Sequence, residues 1–318
     1  LMPSNTGSVL RGMSDVDVRK MIESYGVLEA AKAIGANYRG MNYRRRAIEA
    51  REGKPIVSPN SPERQIYHPD WLKESIRTGY VLIGSDAHYW PNYTSTAHRA
   101  FVKVAKKLQP KVVVLNGDVL DGATISRHPP IGWDNAPALE AEVVACQERV
   151  REIERAAPNA KRYWPLGNHD ARFETRLATV APEFAKVHGT RLKDHFPYWR
   201  PCWSLCVNDS VVIKHRYKGG IHATYNNTVI AGRTMVTGHL HSLKVTPFTD
   251  YNGTRYGVDT GTLADTFGPQ FEYLEESPRN WRSGFAVLSF VEGRMLPPEL
   301  CEVIGDGKVA FRGEIIKA

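Results

Sequence analysis

Short apolar runs that stop at glycine and polar residues constrain this chain more than any other feature. Tyr80-Val81-Leu82-Ile83 ends in Gly84-Ser85, and Val112-Val113-Val114-Leu115 ends in Asn116-Gly117. A third strand is expected before Pro165-Leu166-Gly167. Helical character over Thr96 to Leu108 separates the first two runs, and a charged helix over residues 138 to 156 precedes the third. Buried strands alternating with helices are β-α-β units of a parallel sheet, and active sites of such sheets lie at the carboxyl ends of the strands. The second half is richer in strands, with short runs at Val211-Val212-Ile213, Thr234-Met235-Val236, Tyr256-Gly257-Val258 and Phe285-Ala286-Val287-Leu288. Each is bounded by Gly, Asn or Asp.

The 318 residues suffice for one large domain and a small appendage. With 42% hydrophobic and 24% charged residues the chain is neither disordered nor fibrous. No stretch approaches the ~20 apolar residues of a membrane span, and no signal-peptide pattern opens the chain. Residues 1 to 12 read as a tail or expression remnant. The four cysteines, Cys146, Cys202, Cys206 and Cys301, form no CxxC pair. Reduced thiols in a cytoplasmic protein are therefore expected (host cytoplasm, if a phage encodes it). The net charge of +8 weakly favours polyanionic partners.

Five polar clusters follow expected strands or turns: Asp86-Ala87-His88, Gly117-Asp118-Val119-Leu120-Asp121, Gly167-Asn168-His169-Asp170, the lone His215, and Gly238-His239-Leu240-His241. Asp, Asn and His are oxygen and nitrogen donors without a thiolate among them. Such a set suits Mn²⁺ best here, with Fe, Zn²⁺, Co²⁺ or Ni²⁺ as alternatives. Two carboxylates, one amide and four imidazoles exceed the needs of one ion. Two ions ~3.5–4 Å apart would use all of them, clamping a phosphate and acidifying a water between them. A single D-x-H or H-x-H arises often by chance; five clusters in order, each at a strand end, do not.

The ordered series DxH, GDxxD, GNHD, lone His and GHxH resembles the calcineurin-like metallophosphoesterases over residues 79 to 291. The resemblance implies a four-layer α/β sandwich of two packed mixed sheets flanked by helices. It implies that Asp86, His88 and His241 hold one metal, that Asn168, His215 and His239 hold a second, and that Asp118 bridges them. His169 matches the family's catalytic histidine and Asp121 the carboxylate that orients it. Asp170 reads equally as a support for the site and as a helix N-cap. Gly122-Ala123 after Asp121, and Asp170 closing the third motif, are closer to the nuclease and phosphodiesterase branches than to the phosphoprotein phosphatases. Arg216 follows His215 where many relatives have Gly, and His222 is a rival for that ligand.

Arg127, His128, Arg172 and Arg216 are candidates for binding substrate phosphate. Tyr89, Trp90 and Tyr93 suit base stacking or packing, with packing preferred.

Residues 13 to 55 read as a helical domain. A first helix carries Val16, Val18, Met21 and Ile22, Gly26 breaks it, a second ends at Gly35, and a third spans Tyr38 to Arg51. Residues 27 to 46 resemble a helix-turn-helix, which implies nucleic acid, DNA in particular, as partner. Arg39, Asn42 and Asn37 would reach base edges, and Arg44, Arg45 and Arg46 would neutralise phosphates. The bland reading of such a helix is a solvated arginine-rich face. Residues 56 to 78, with Pro59, Pro62 and Pro69, form a linker or strap. The phosphoesterase domain then runs from 79 to 318. A helix-turn-helix beside a GNHD-type enzyme resembles phage-encoded proteins. The reading is a dinuclear-metal phosphodiesterase acting on nucleic acid. The alternatives are a phosphomonoesterase or small-nucleotide phosphodiesterase, and a DNA-binding protein with a vestigial metal site.

Overall fold

The computed structural model describes residues 9–10, 12–52, 56, 71–126, 136–275 and 279–318. Two compact units divide the chain, Leu1–Tyr67 and His68–Ala318.

In the first unit, α1 (Asp15–Ala33) starts at Ser14, whose side-chain oxygen accepts the Asp17 N–H at 3.1 Å. That bond satisfies one donor that a helix start leaves unpaired. Gly26, at φ 78° and ψ 162°, interrupts the helix where the sequence places a break. Gly35 follows at φ 63°. α2 (Tyr38–Glu52) starts beside Asn37, whose Oδ1 accepts the Arg39 N–H at 2.7 Å. Asn37 is thus occupied as a cap. Val18, Ile22, Ala30, Ala31, Met41 and Ile48 bury together with Ile56.

The arginines of α2 are not equivalent. Arg44 donates to Asp15 Oδ1 and to the carbonyls of Leu10 and Met13. Its guanidinium is committed to the unit's own fold, which corrects its assignment as a phosphate contact. Arg45 lies 3.9 Å from Glu49. Arg39 and Arg46 are exposed, Asn42 is half-buried, and Tyr43 stands 79% exposed between the two arginines.

The second unit holds two sheets. In the larger, β2 (Gly79–Gly84), β3 (Val112–Leu115), β4 (Lys161–Pro165) and β5 (Arg200–Cys202) run parallel in that order. On the other side of β2 lies antiparallel β11 (Gly284–Val291), followed by the meander β13 (Glu299–Gly305), β14 (Lys308–Phe311) and β15 (Glu314–Lys317). The short β12 (Arg294–Met295) pairs with β11. The smaller sheet has the order β1 (Leu72–Glu74), β6 (Leu205–Val207), β7 (Val211–Ile213), β8 (Thr234–Thr237), β10 (Gly253–Asp259), β9 (Lys244–Asp250). β1 lies inside the stretch read from sequence as linker.

Alternation along the strands builds the layers. Val81, Ile83, Val112 and Val114 face the second sheet and meet Val211, Ile213, Val236 and Val258. Leu82, Val113, Leu115 and Trp164 point the other way, onto α3 (Thr96–Leu108) and α4 (Leu139–Ala156), where Phe101, Val104, Cys146 and Val150 cover them. Strands buried on both faces must be apolar at every position, which is why the runs are unbroken. Burying each Val, Leu or Ile contributes about 1.5–3 kcal/mol. α7 (Ala223–Ala231) packs on β8, β9 and β10. The result is the expected sandwich of two mixed sheets flanked by helices. The four cysteines are buried and free. Among the described residues no helix is long and apolar enough to cross a membrane.

Candidate metal centre

The polar clusters meet beyond the carboxyl ends of β2, β3, β4, β7 and β8. Here the backbone leaves the strand sharply. Asp86, His88, Asp118, His239 and His241 all have positive φ, between 39° and 71°. For residues other than glycine this costs on the order of 1–3 kcal/mol each, so surrounding contacts must hold it. The Asp86 N–H donates to the Gly117 carbonyl at 2.8 Å and the His88 N–H to the Asp118 carbonyl at 3.0 Å, stitching the first motif to the second. The glycines permit close approach. A Cβ on Gly167 would lie 2.0 Å from Asp118 Oδ1, and one on Gly238 2.5 Å from Asp86 Oδ2.

Three groups of side chains converge so that the ligand atoms within each lie within 4.8 Å of one another: Asp86, His88 and His241; Asp118, His215 and His239; and His88, Asp121 and His169. Asp118 Oδ2 is 3.1 Å from His215 Nε2, and Asp86 Oδ1 is 3.0 Å from His241 Nε2. His222 precedes α7, exposed, and takes no part.

Asn168 Oδ1 is buried without a hydrogen-bond partner. An unpaired buried polar atom costs about 1–3 kcal/mol, so this oxygen suits a cation as its partner. Tautomers agree with that. His88 Nδ1 lies 2.8 Å from Asp121 Oδ1, and His215 Nδ1 lies 2.8 Å from the Asn116 carbonyl. Each Nδ1 donates its proton there, leaving Nε2 free as a ligand.

Burial alone would raise Asp86, but the His241 and His215 imidazoles hold it below the ordinary carboxylate range. Burial likewise opposes a low value at Asp118, and His215 outweighs it. Burial alone would lower His215, yet the Asp118 and Asp86 carboxylates lift it to about 10. Without metal the cluster is held together by protons, which a binding ion must displace.

Asp121 departs from its expected role in part. Its side chain sits 2.8 Å from His88 Nδ1 and 3.3 Å from His169 Nδ1. The atom nearest His169 Nδ1 is the Asp121 backbone carbonyl, at 2.7 Å. The carboxylate thus chiefly steers a ligand, while the carbonyl fixes His169. Burial opposes protonation of His169, but Asp121 and Asp118 outweigh it and raise its pKa.

Asp170 is not an N-cap, because it forms no bond to its own helix. It accepts the N–H groups of Asp118, Val119, Leu120 and Gly167 and the Trp164 indole N–H, all within 3.2 Å. It clamps the second motif to the third. Glu142 does the same one turn on. Its carboxylate accepts the Gly122 and Ala123 N–H groups at 2.6 and 3.1 Å. Sequence reading missed Glu142, which it placed in an undifferentiated charged helix. It also missed Phe271 and Trp281, whose rings stand 5.7 and 4.2 Å from the His241 ring. Neither carries a motif that marks it.

Of the phosphate candidates, Arg172 lies with Nη2 3.1 Å from His169 Nε2. Arg216 lines a groove shared with His239. Arg127 and His128 lie outside the described residues. Tyr89 is buried and bonds His98, and Tyr93 bonds Asp265, so both belong to the packing.

No protein-family model matches the chain. It is 26% identical over 233 residues to the Gene 54 protein of Mycobacterium phage L5, covering 65% of this chain and 87% of that one. Solved structures similar to it include Yfce, a phosphoesterase from E. coli (13% identity, TM-score 0.32, 69% of this chain and 97% of that one). Another is a dimetal phosphatase from Danio rerio (12% identity, TM-score 0.39, 71% and 96%). At such scores these two likenesses add nothing to the chain's own geometry. Ordered motifs, a two-sheet sandwich and a convergent Asp and His cluster are the features in which the chain resembles the calcineurin-like metallophosphoesterases.

Proposed function

We propose that the chain is a metal-dependent phosphodiesterase that hydrolyses nucleic acid, with DNA as its substrate and the N-terminal helices as its docking module. The observation that carries the reading is the convergence of two ligand groups, Asp86/His88/His241 and Asp118/His215/His239, beside the unpartnered Asn168 Oδ1. The reading assigns Asp118, 3.1 Å from His215 Nε2, as the carboxylate shared by the two groups. Two divalent ions, when bound, supply Lewis-acid charge to the phosphate and an acidified water as nucleophile.

The chain's own residues do the rest. His169 Nδ1 is anchored on the Asp121 carbonyl, so Nε2 is the nitrogen that meets substrate. Its raised pKa suits it to hold a proton for the leaving oxygen. The Arg172 guanidinium donates to Nε2 at 3.1 Å, and it turns from that nitrogen to the phosphate when Nε2 takes up its proton. On α2, exposed Arg39, Tyr43 and Arg46 share one face at i, i+4 and i+7. A basic face with an aromatic residue suits a nucleic-acid backbone.

The test is incubation with Mn²⁺ or EDTA against duplex DNA, single-stranded DNA and bis-p-nitrophenyl phosphate, with Asp118→Asn as control. Metal-dependent DNA cleavage lost in the variant is the expected result. Hydrolysis of the small ester with DNA left intact moves the substrate to a small phosphoester. Equal, baseline rates in wild type and His169→Ala would mean a vestigial site.

A further inference from the structure

Beside the second ligand group the chain opens into a groove of about 450 Å³, lined by Lys214, Arg216, Tyr217, Lys218, Gly238 and His239. Three cations recur at every second residue just beyond β7, while His215 between the first two is buried in the metal centre. Among the described residues none of the three forms an ion pair. Lys214 Nζ lies 5.2 Å from the Tyr217 ring.

The segment is also held in place. Asn227, 1% exposed, accepts the Lys218 N–H at 3.1 Å and donates to the Lys218 carbonyl at 3.2 Å. Unpaired cations concentrated in a groove raise the local concentration of anions. His239 belongs both to this groove and to the ligand cluster, so an anion here sits next to the reacting phosphate.

We propose that this groove is a subsite for the phosphate flanking the scissile one on a nucleic-acid strand, with Lys214, Arg216 and Lys218 as its cations. The inference rests on the nucleic-acid reading above and specifies it. A strand presents successive phosphates, whereas a small diester presents one. The subsite therefore favours polymer over small ester.

The test compares wild type with Lys214→Gln/Lys218→Gln on an eight-residue oligothymidylate and on bis-p-nitrophenyl phosphate, in Mn²⁺. Each charge-assisted contact is worth roughly tenfold, so the oligonucleotide-to-diester ratio of kcat/KM falls roughly a hundredfold. Anisotropy of the labelled oligonucleotide, with Asp118→Asn as the background to prevent cleavage, gives the salt dependence of binding. Its logarithmic slope shrinks by about 1.4, or ~0.7 for each lost contact to a single strand. Lys214→Arg/Lys218→Arg restores both. An unchanged ratio and slope, with the oligonucleotide still bound, overturns the subsite alone. A wild type that turns over the small diester but neither binds nor cuts the oligonucleotide overturns the nucleic-acid reading and the subsite with it.

Discussion

Replacing Asp170 by Asn changes one oxygen to an amide nitrogen and nothing else in shape. The consequence follows from the donors around it. Oδ1 accepts the Val119 and Leu120 N–H groups at 3.0 and 3.2 Å, and Oδ2 accepts those of Asp118, Gly167 and Trp164 at 2.8 to 2.9 Å. An amide in its better orientation keeps the second set and turns its own N–H₂ toward Val119 and Leu120. Two buried donors then face a donor. At about 1–3 kcal/mol for each unsatisfied group, Asp170→Asn loses ~2–6 kcal/mol. Burial and the Asp118 charge raise the Asp170 pKa, which opposes part of the charge-assisted strength of these bonds. Urea denaturation in EDTA measures the loss without metal linkage. The second motif also loses its anchor, so hydrolysis of bis-p-nitrophenyl phosphate falls further than the folded fraction explains. A variant within about 1 kcal/mol of wild type, with wild-type turnover, would refute the clamp.

Three other outcomes follow from the same contacts. Gly167→Ala puts a methyl 2.0 Å from Asp118 Oδ1 and 2.4 Å from its N, so Asp118 shifts and elemental analysis of the purified variant finds less than the wild-type metal content. Burial, aided by the Asp121 charge, lifts the Glu142 carboxyl to about 7. The folded state therefore keeps a proton that the unfolded chain releases near pH 4.5, and stability declines as pH rises from about 4.5 through 7. Glu142→Gln, which cannot ionise, loses that portion of the decline in pH-resolved denaturation; an unaltered profile would contradict it. Arg39→Gln and Arg46→Gln each reduce the salt slope of duplex binding by about 0.9, whereas Arg44→Gln, which severs its bonds to Asp15 and to the Leu10 and Met13 carbonyls, acts on the melting of the N-terminal unit instead.

The motifs made much of the site visible because they follow short strands, and Asp118, Asn168 and His239 each come directly after a glycine. The apolar runs are unbroken because helices cover one face of the large sheet and the second sheet covers the other. β9 was not visible: it is an edge strand paired only with β10, half-exposed, and it carries Pro247. A proline that needs no ladder donor is tolerated there and obscures the pattern. The β13–β15 meander alternates apolar and charged residues over short lengths, a weaker pattern than the parallel strands. Asp170 on Asp118, Val119 and Leu120, Glu142 on Gly122 and Ala123, and Phe271 and Trp281 on His241 act across 15 or more residues of intervening chain, so no local spacing marks these contacts. Asp121 shows the limit of motif transfer. Its position was foreseen, but which of its oxygens meets His169 depends on a turn that only the structure gives.

The central claim is a two-ion centre. Metal-free protein titrated with Mn²⁺ by calorimetry, alongside Asp118→Asn, tests it directly. The account expects two ions per chain in the wild type, with protons released as His215 gives up its pairing with Asp118, and weaker binding of both ions in the variant. One ion per chain, or two that Asp118→Asn leaves unaffected, would contradict it.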